Sequence, residues 1–340
     1  MTGWGHEKFL EVAKLKKLLN NVDAYVDDML EGLVKAHPDL TRVPNTHVIV
    51  RRNKGNKVAL ISGGGSGHEP AHAGFVGTGM LDGAVAGEVF TSPTPNQVLD
   101  AIHAVDSGQG VLLVIKNYTG DVMNFEMAAE MAQAEGISVE RVIVDDDVAV
   151  EDSTYTVGRR GIAGTVFVHK IAGAAAEAGK SLAEVKAVAE RVIQNVASMG
   201  MAMSPCTVPA SGEPSFELGP NEMEIGMGIH GEPGTKRVPL VGAESIVNTL
   251  LEPILANSPA KSGDEVAVLV NGLGATPLSE LYIANLSVHQ ALADKGLKVV
   301  QTYVGEYMTS LEMAGFSISV LRLDDELKSL LTAPTTAPAW

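Results

Sequence analysis

The sequence predicts an α/β protein of two domains, each a largely parallel or mixed sheet covered by helices. Three observations carry this expectation. Strand-length apolar runs alternate with helix-period segments from about residue 58 onward, the order of a sheet with helices on both faces. Glycine-rich loops sit at the ends of those runs, where sites assemble in α/β folds. A length of 340 residues also exceeds one ordinary domain.

The elements follow in order. Val12, Leu15, Leu19, Val22 and Val26 fall at helical spacing and predict an amphipathic opening helix. The first strand, Lys57 to Ile61, breaks into the glycine loop Ser62-Gly-Gly-Gly-Ser-Gly-His-Glu-Pro70. Ser92-Pro-Thr-Pro95 offers an N-cap and first-turn prolines for a helix through Val98, Ile102 and Val105. Val111 to Ile115 is a buried strand, stopped by Lys116-Asn-Tyr-Thr-Gly-Asp121. A Met- and Ala-rich helix from about Asn124 to Glu135 leads to the strand Val139–Val144, which ends in Asp145-Asp-Asp147. Two helices then come in succession, Gly164–Ala178 and Ser181–Ala197, the second opened by a capping-box pattern. Beyond Met203 the texture turns rich in Pro and Gly, with Met223–Ile229 alternating like a strand. A helix near 243–256, the strand Glu265–Val270, the loop Asn271–Pro277, a helix to Lys295, strands Leu297–Val304 and Phe316–Leu323 and a tail helix at 324–331 complete the chain. The expected division is a leader helix or appended segment (1–15), an N-terminal domain with the glycine loop (16–200) and a C-terminal domain (201–340).

Composition narrows the function classes. The formal charge is −16, from 25 Lys plus Arg against 41 Asp plus Glu. Such a chain repels a phosphate backbone, so no nucleic-acid partner is expected. No apolar stretch reaches the roughly 18 residues a membrane helix needs, and the start lacks a secretory pattern, so a cytoplasmic protein without a membrane partner is expected. The single cysteine, Cys206, forms no internal disulfide and builds no cysteine-based zinc site alone.

Four glycines, two serines and a histidine at 62–68 ask for more than a tight turn, because bare backbone N–H groups there can approach a ligand closely. The loop is no dinucleotide fingerprint, since Pro70 stands where the third glycine should be. It is no P-loop either, and Gly179-Lys-Ser181 is only a helix end followed by a capped helix. His68 and His72 have the i, i+4 spacing of metal ligands, but Pro70 puts His68 in the loop and His72 in the following helix. His230 lies in a second glycine loop with a similar His-Gly-Glu-Pro texture. Asp145-Asp-Asp147 reads as capping of nearby N–H groups and pairing with Arg159-Arg160, and no metal is expected. Asp121, alone at a strand end, is a candidate general base.

Taken together, seven ordered motifs resemble the dihydroxyacetone kinase K domain family. They are Ser62–Pro70, Gly87-Glu-Val-Phe-Thr-Ser-Pro-Thr-Pro95, Lys116–Asp121, Val144-Asp-Asp-Asp-Val-Ala-Val150, Gly158-Arg-Arg-Gly161, Gly228-Ile-His-Gly-Glu-Pro-Gly234 and Asn271-Gly-Leu-Gly-Ala-Thr-Pro-Leu-Ser-Glu-Leu281. The match runs from about Leu18 to Leu331. The resemblance implies a two-domain homodimer that binds a small ketose, dihydroxyacetone. It implies that His230 captures the substrate carbonyl as a reversible hemiaminal, and that His68 and Asp121 act as acid and base. Gly65, Ser66, Gly67 and Lys116 match the remaining substrate contacts. Neutral imidazole is a competent nucleophile near pH 7, and covalent capture selects a ketone over glycerol. The length implies the separate K subunit, with no cofactor on this chain. ADP or ATP with Mg would then sit on a partner L subunit, recharged by a phosphotransferase-system M phosphoprotein from phosphoenolpyruvate. A non-catalytic co-activator that senses dihydroxyacetone, or a kinase subunit for a longer ketose such as erythrulose, are the alternatives.

Overall fold

The computed structural model describes residues 16–151 and 156–340. It contains two six-stranded sheets with helices on both faces of each. The expected leader segment lies outside the described residues. So does the start of the expected opening helix. Its described part is irregular to Asn21, and the first α-helix, α1, spans Tyr25–Ala36.

The first sheet takes its strands from β1 (Leu40–Arg42), β2 (Val48–Arg51), β3 (Ala59–Ser66), β4 (Gly83–Val89), β5 (Val111–Lys116) and β6 (Val139–Val144). Their order is β1-β2-β4-β3-β5-β6, parallel from β4 through β6, with β1 and β2 antiparallel at the edge. The helices α2 (Pro95–Val105) and α3 (Thr119–Ala134) cover one face. The continuous apolar run of β5 is buried along its whole length, as a strand covered on both faces requires.

The glycine loop differs from its expectation, because β3 does not stop at Ile61. It runs on through Gly63, Gly64 and Gly65, paired with Val85, Ala86 and Gly87 of β4. These glycines serve close packing rather than a turn. A Cβ on Gly63 would lie 2.4 Å from the Val85 carbonyl, one on Gly64 2.4 Å from Lys116 Nζ, and one on Gly65 2.6 Å from the Thr91 nitrogen.

The remaining elements are α4 (Thr165–Glu177), α5 (Leu182–Asn195), β7 (Val196–Ala202), β8 (Glu222–Ile225), β9 (Lys236–Pro239), α6 (Ala243–Asn257), β10 (Glu265–Gly272), α7 (Leu278–Asp294), β11 (Lys298–Gly305), β12 (Gly315–Arg322) and α8 (Asp325–Leu331). The second sheet has the order β11-β10-β12-β7-β8-β9 and is mixed, with only β10 and β11 parallel. Its first strand begins at Val196, directly out of α5. The expected strand over 223–229 ends at Ile225, where Gly226 turns the chain at φ +75°.

Every residue from Thr165 to Ala176 of α4 is buried, as in an Ala-rich helix packed on all sides, and its buried Lys170 donates to the Leu330 carbonyl. That helix lies between the sheets: its core cluster joins Leu60, Leu112 and Val114 of the first to Ala267, Leu269 and Leu321 of the second. The tail helix α8 and the residues after it return to the same core through Leu327, Leu330, Leu331 and Ala337. The two sheets thus share one central apolar layer, and the loops at their adjoining ends meet. Among the described residues no helix is long and apolar enough to cross a membrane.

Candidate active site

Where those loops meet, a cleft of about 530 Å³ opens, lined by Gly65, Phe90, Ser92, Tyr118, Asp121 and His230 among others. A hollow of about 600 Å³ lies against α6 and α7, but none of the sequence-predicted site residues lines it.

The His68 and His230 rings meet edge to face, with centroids 4.7 Å apart. Phe90 stacks on His68 at 5.1 Å and Tyr118 stands edge-on to His230 at 4.6 Å, so apolar walls enclose both imidazoles. His68 is fully buried, and its Nδ1 donates to the Thr309 carbonyl at 2.8 Å. With Nδ1 carrying the proton, Nε2 is a bare acceptor, and it has no partner among the described residues. Burial, then the nearby charges of His230 and Lys116, hold its pKa well below the usual histidine value, so the ring is neutral near pH 7.

His230 is fixed from the opposite side. Its Nδ1 lies 2.8 Å from Glu232 Oε1, and its backbone N–H donates to Oε2 of the same carboxylate at 2.9 Å. Glu232 is buried, and burial alone would raise its carboxyl. The charge and hydrogen bond of His230, with Arg160 nearby, hold it down at about 2. A carboxylate on Nδ1 leaves the Nε2 lone pair of His230 free, the tautomer a nucleophile requires.

Asp121 sits in the first turn of α3, where the helix N-terminus favours a carboxylate. Its Oδ1 accepts from the Ser92 hydroxyl, and its Oδ2 lies 3.5 Å from Lys116 Nζ. Lys116, at the end of β5, is fully buried beneath Gly64. Ser66 sits at the loop, but its hydroxyl donates to the Gly87 carbonyl at 2.7 Å. The Gly67 N–H donates to Glu69, whose carboxyl is raised by burial. Leu311 N–H in turn donates to the Gly67 carbonyl, which ties the loop to the second half of the chain.

His72 does not join His68 in a ligand pair; its Nδ1 lies 3.0 Å from His169 Nε2. The acidic triplet divides as the sequence suggests. Asp146 accepts from the N–H groups of Ile162 and Gly164 just before α4, and Asp147 pairs with Arg160.

Five contributors escaped the sequence reading. Glu232 was visible only as part of the His-Gly-Glu-Pro texture. Ser92 read as an N-cap, but Thr94 occupies that position, and Ser92 turns to Asp121. Phe90 and Tyr118 lie inside quoted motifs, Gly87–Pro95 and Lys116–Asp121, without any signal of their aromatic role. The Thr309 carbonyl has no side-chain signature at all.

The family model described as the Dak1 domain matches residues 31–339. The chain is 57% identical over 329 residues to the dihydroxyacetone-binding subunit DhaK of a PTS-dependent dihydroxyacetone kinase from Listeria innocua, covering 96% of this chain and 100% of that protein. It is 46% identical to the corresponding subunit of the PEP-dependent kinase of Escherichia coli, covering 96% and 99%. Among solved structures, the dihydroxyacetone kinase of C. freundii superposes with a TM-score of 0.89 at 38% identity, over 96% of this chain and 60% of that one. The dihydroxyacetone kinase operon co-activator DhaQ gives a TM-score of 0.87 at 38% identity, covering 92% and 97%.

Proposed function

Since this chain belongs to the Dak1 domain family, we propose that it is the dihydroxyacetone-binding subunit of a phosphotransferase-system-dependent dihydroxyacetone kinase. It is an enzyme subunit of the transferase class, and its product is dihydroxyacetone phosphate. The observation that carries the mechanism is the facing pair of imidazoles with bare Nε2 atoms, one of them backed by a buried carboxylate.

In this reading the His230 Nε2 lone pair adds to the ketone carbon. The carbonyl π electrons move onto oxygen, which takes up a proton and completes a hemiaminal. Positive charge developing on the ring spreads to Nδ1–H and is stabilised by Glu232. Capture fixes a three-carbon substrate with too little surface for tight ordinary binding. Asp121, aided by His68, then accepts the proton of a terminal hydroxyl as its oxygen attacks the phosphoryl group. Lys116 and the Gly65–Gly67 backbone complete the substrate contacts, and Ser66 contributes its backbone, because its hydroxyl is engaged by Gly87. In this reading the acid/base residues lie within residues 16–200 and the capturing histidine within 201–340.

The phosphoryl donor is a nucleotide with Mg on a separate L subunit, recharged by the M phosphoprotein in the cytoplasm. Exposed Met123 and Met127 on α3, beside Asp121, support docking of a partner at the cleft. The exposed apolar face of α7 (Leu278, Tyr282, Ile283 and Leu286) lies beside the edge strand β11 and supports a homodimer.

Native mass spectrometry with dihydroxyacetone tests the capture step. The wild type should gain the mass of one substrate, while His230→Ala and a glycerol control should not. An adduct retained in His230→Ala overturns the assignment.

A further inference from the structure

The motifs Asp145-Asp-Asp147 and Gly158-Arg-Arg-Gly161 meet behind His230, and the mechanism above leaves them unused. The geometry assigns Arg160 as a positioning residue that, through Glu232, keeps His230 in its neutral, nucleophilic form. This inference rests on His230 as the capturing residue.

Arg160 is fully buried. Its Nε and Nη2 both reach Asp147 Oδ2, at 2.8 and 2.7 Å, and Nη2 also donates to the Gly226 carbonyl at 2.8 Å. Gly226 opens the turn that delivers His230, so the guanidinium grips the base of that loop. Nη1 has no hydrogen-bond partner among the described residues. It faces Glu232 across Gly228, where a Cβ would lie 2.7 Å from Nη1 and 2.1 Å from Glu232 Oε2. Only glycine leaves room there for the carboxylate and the guanidinium together. A four-membered chain of groups results: Asp147, Arg160, Glu232 and His230.

The charge logic follows from burial. An ionised carboxylate in this interior needs a cation. Were His230 the sole candidate, its ring would be drawn to imidazolium, with both nitrogens protonated and no lone pair to attack a ketone. Arg160 supplies the charge permanently, because a guanidinium does not deprotonate. Glu232 also faces Tyr118 and Asp147, and His230 faces His68, Phe90 and Tyr118. None of these is a permanent cation, and Lys116 acts on His68 and Asp121 instead.

The test is Arg160→Met, which removes the one permanent positive charge and keeps much of the side chain's length. Its His230 ring is titrated by NMR without substrate, and its adduct occupancy with dihydroxyacetone is followed against pH. The proton affinity of His230 should rise roughly tenfold, the effect of one nearby charge in a partly screened interior. Adduct occupancy at limiting substrate should fall by up to roughly tenfold on the acid side of the ring titration and recover at higher pH as the ring deprotonates. An unchanged ring titration, or an equal loss of adduct at every pH, overturns the assignment in favour of a purely structural ion pair. Arg160→Lys keeps the charge and serves if Arg160→Met does not fold. A ring titration near wild type supports the role, and a tenfold rise there overturns it. A shifted titration in Arg160→Met, with no adduct in the wild type at any pH, supports the role of Arg160 and refutes covalent capture.

Discussion

Asp121→Asn separates proton transfer from substrate capture, and its cost is read from two contacts. Asparagine keeps the shape of the side chain and an oxygen for the Ser92 hydroxyl, but it removes the negative charge 3.5 Å from buried Lys116 Nζ. Breaking a buried pair by removing one partner costs about 3–5 kcal/mol. The long separation and the surviving Ser92 contact place this case near about 3 kcal/mol. Phosphoryl transfer should fall by ~10²–10⁴, equal to about 3–5 kcal/mol of barrier. Capture by His230 should survive. The double variant Asp121→Asn/Lys116→Met removes the stranded cation, so its stability should return to within about 1 kcal/mol of wild type while transfer stays slow. Denaturant titration, intact-mass measurement of the adduct and a phosphoenolpyruvate-driven assay with cognate L and M subunits read the three quantities. Transfer by Asp121→Asn at the wild-type rate would refute the base assignment. A double variant no more stable than the single one would refute the argument from Lys116.

Three other expectations are open to direct measurement. Gly228→Ala would push a methyl into Glu232 and Arg160, so adduct occupancy in intact-mass spectra should fall at least about tenfold, with lower stability by denaturant titration. Burial, followed by the charge of Lys116, holds His169 at about 3 against an ordinary 6.5. The unfolded chain therefore binds that proton first, and stability should be full above about pH 6.5 and fall by about 5 kcal/mol towards pH 3; His169→Gln should flatten that decline, which denaturant midpoints across the range will show. The isolated chain with ATP, Mg²⁺ and dihydroxyacetone should form no phosphate ester until the L subunit is added, as phosphorus NMR of the mixture would reveal.

The alternation of apolar runs and helical periods was legible because both sheets bury their strands, and β5 and β10 reveal it residue by residue. Two of the elements it missed lack such runs. The strand β1 has three residues with one buried, and β4 is built of small residues whose pattern resembles a loop. The same weakness hid the extension of β3, since three glycines carry no hydrophobic period, and only the neighbours of their absent Cβ atoms explain them. His68, Asp121 and His230 could be read from motifs because each stands next to a glycine in a loop or helix start, and Lys116 because it opens the motif that ends in Asp121. Thr309 could not, because what it offers is a backbone carbonyl 241 positions away from His68.

That carbonyl has a consequence for how such a protein can be divided or recombined. The imidazole of one half takes its proton arrangement from the main chain of the other, so chemical readiness becomes a property of the joint rather than of either piece. A hybrid joining the first half of one homologue to the second half of another would inherit the setting whatever residue stood at 309, provided the backbone path were kept. A chain cut between the sheets would yield fragments in which His68 could exchange its two neutral tautomers. The same amino acid would be present in such fragments, yet in a mixture of states, and reassembly would be visible first as the collapse of that mixture to one.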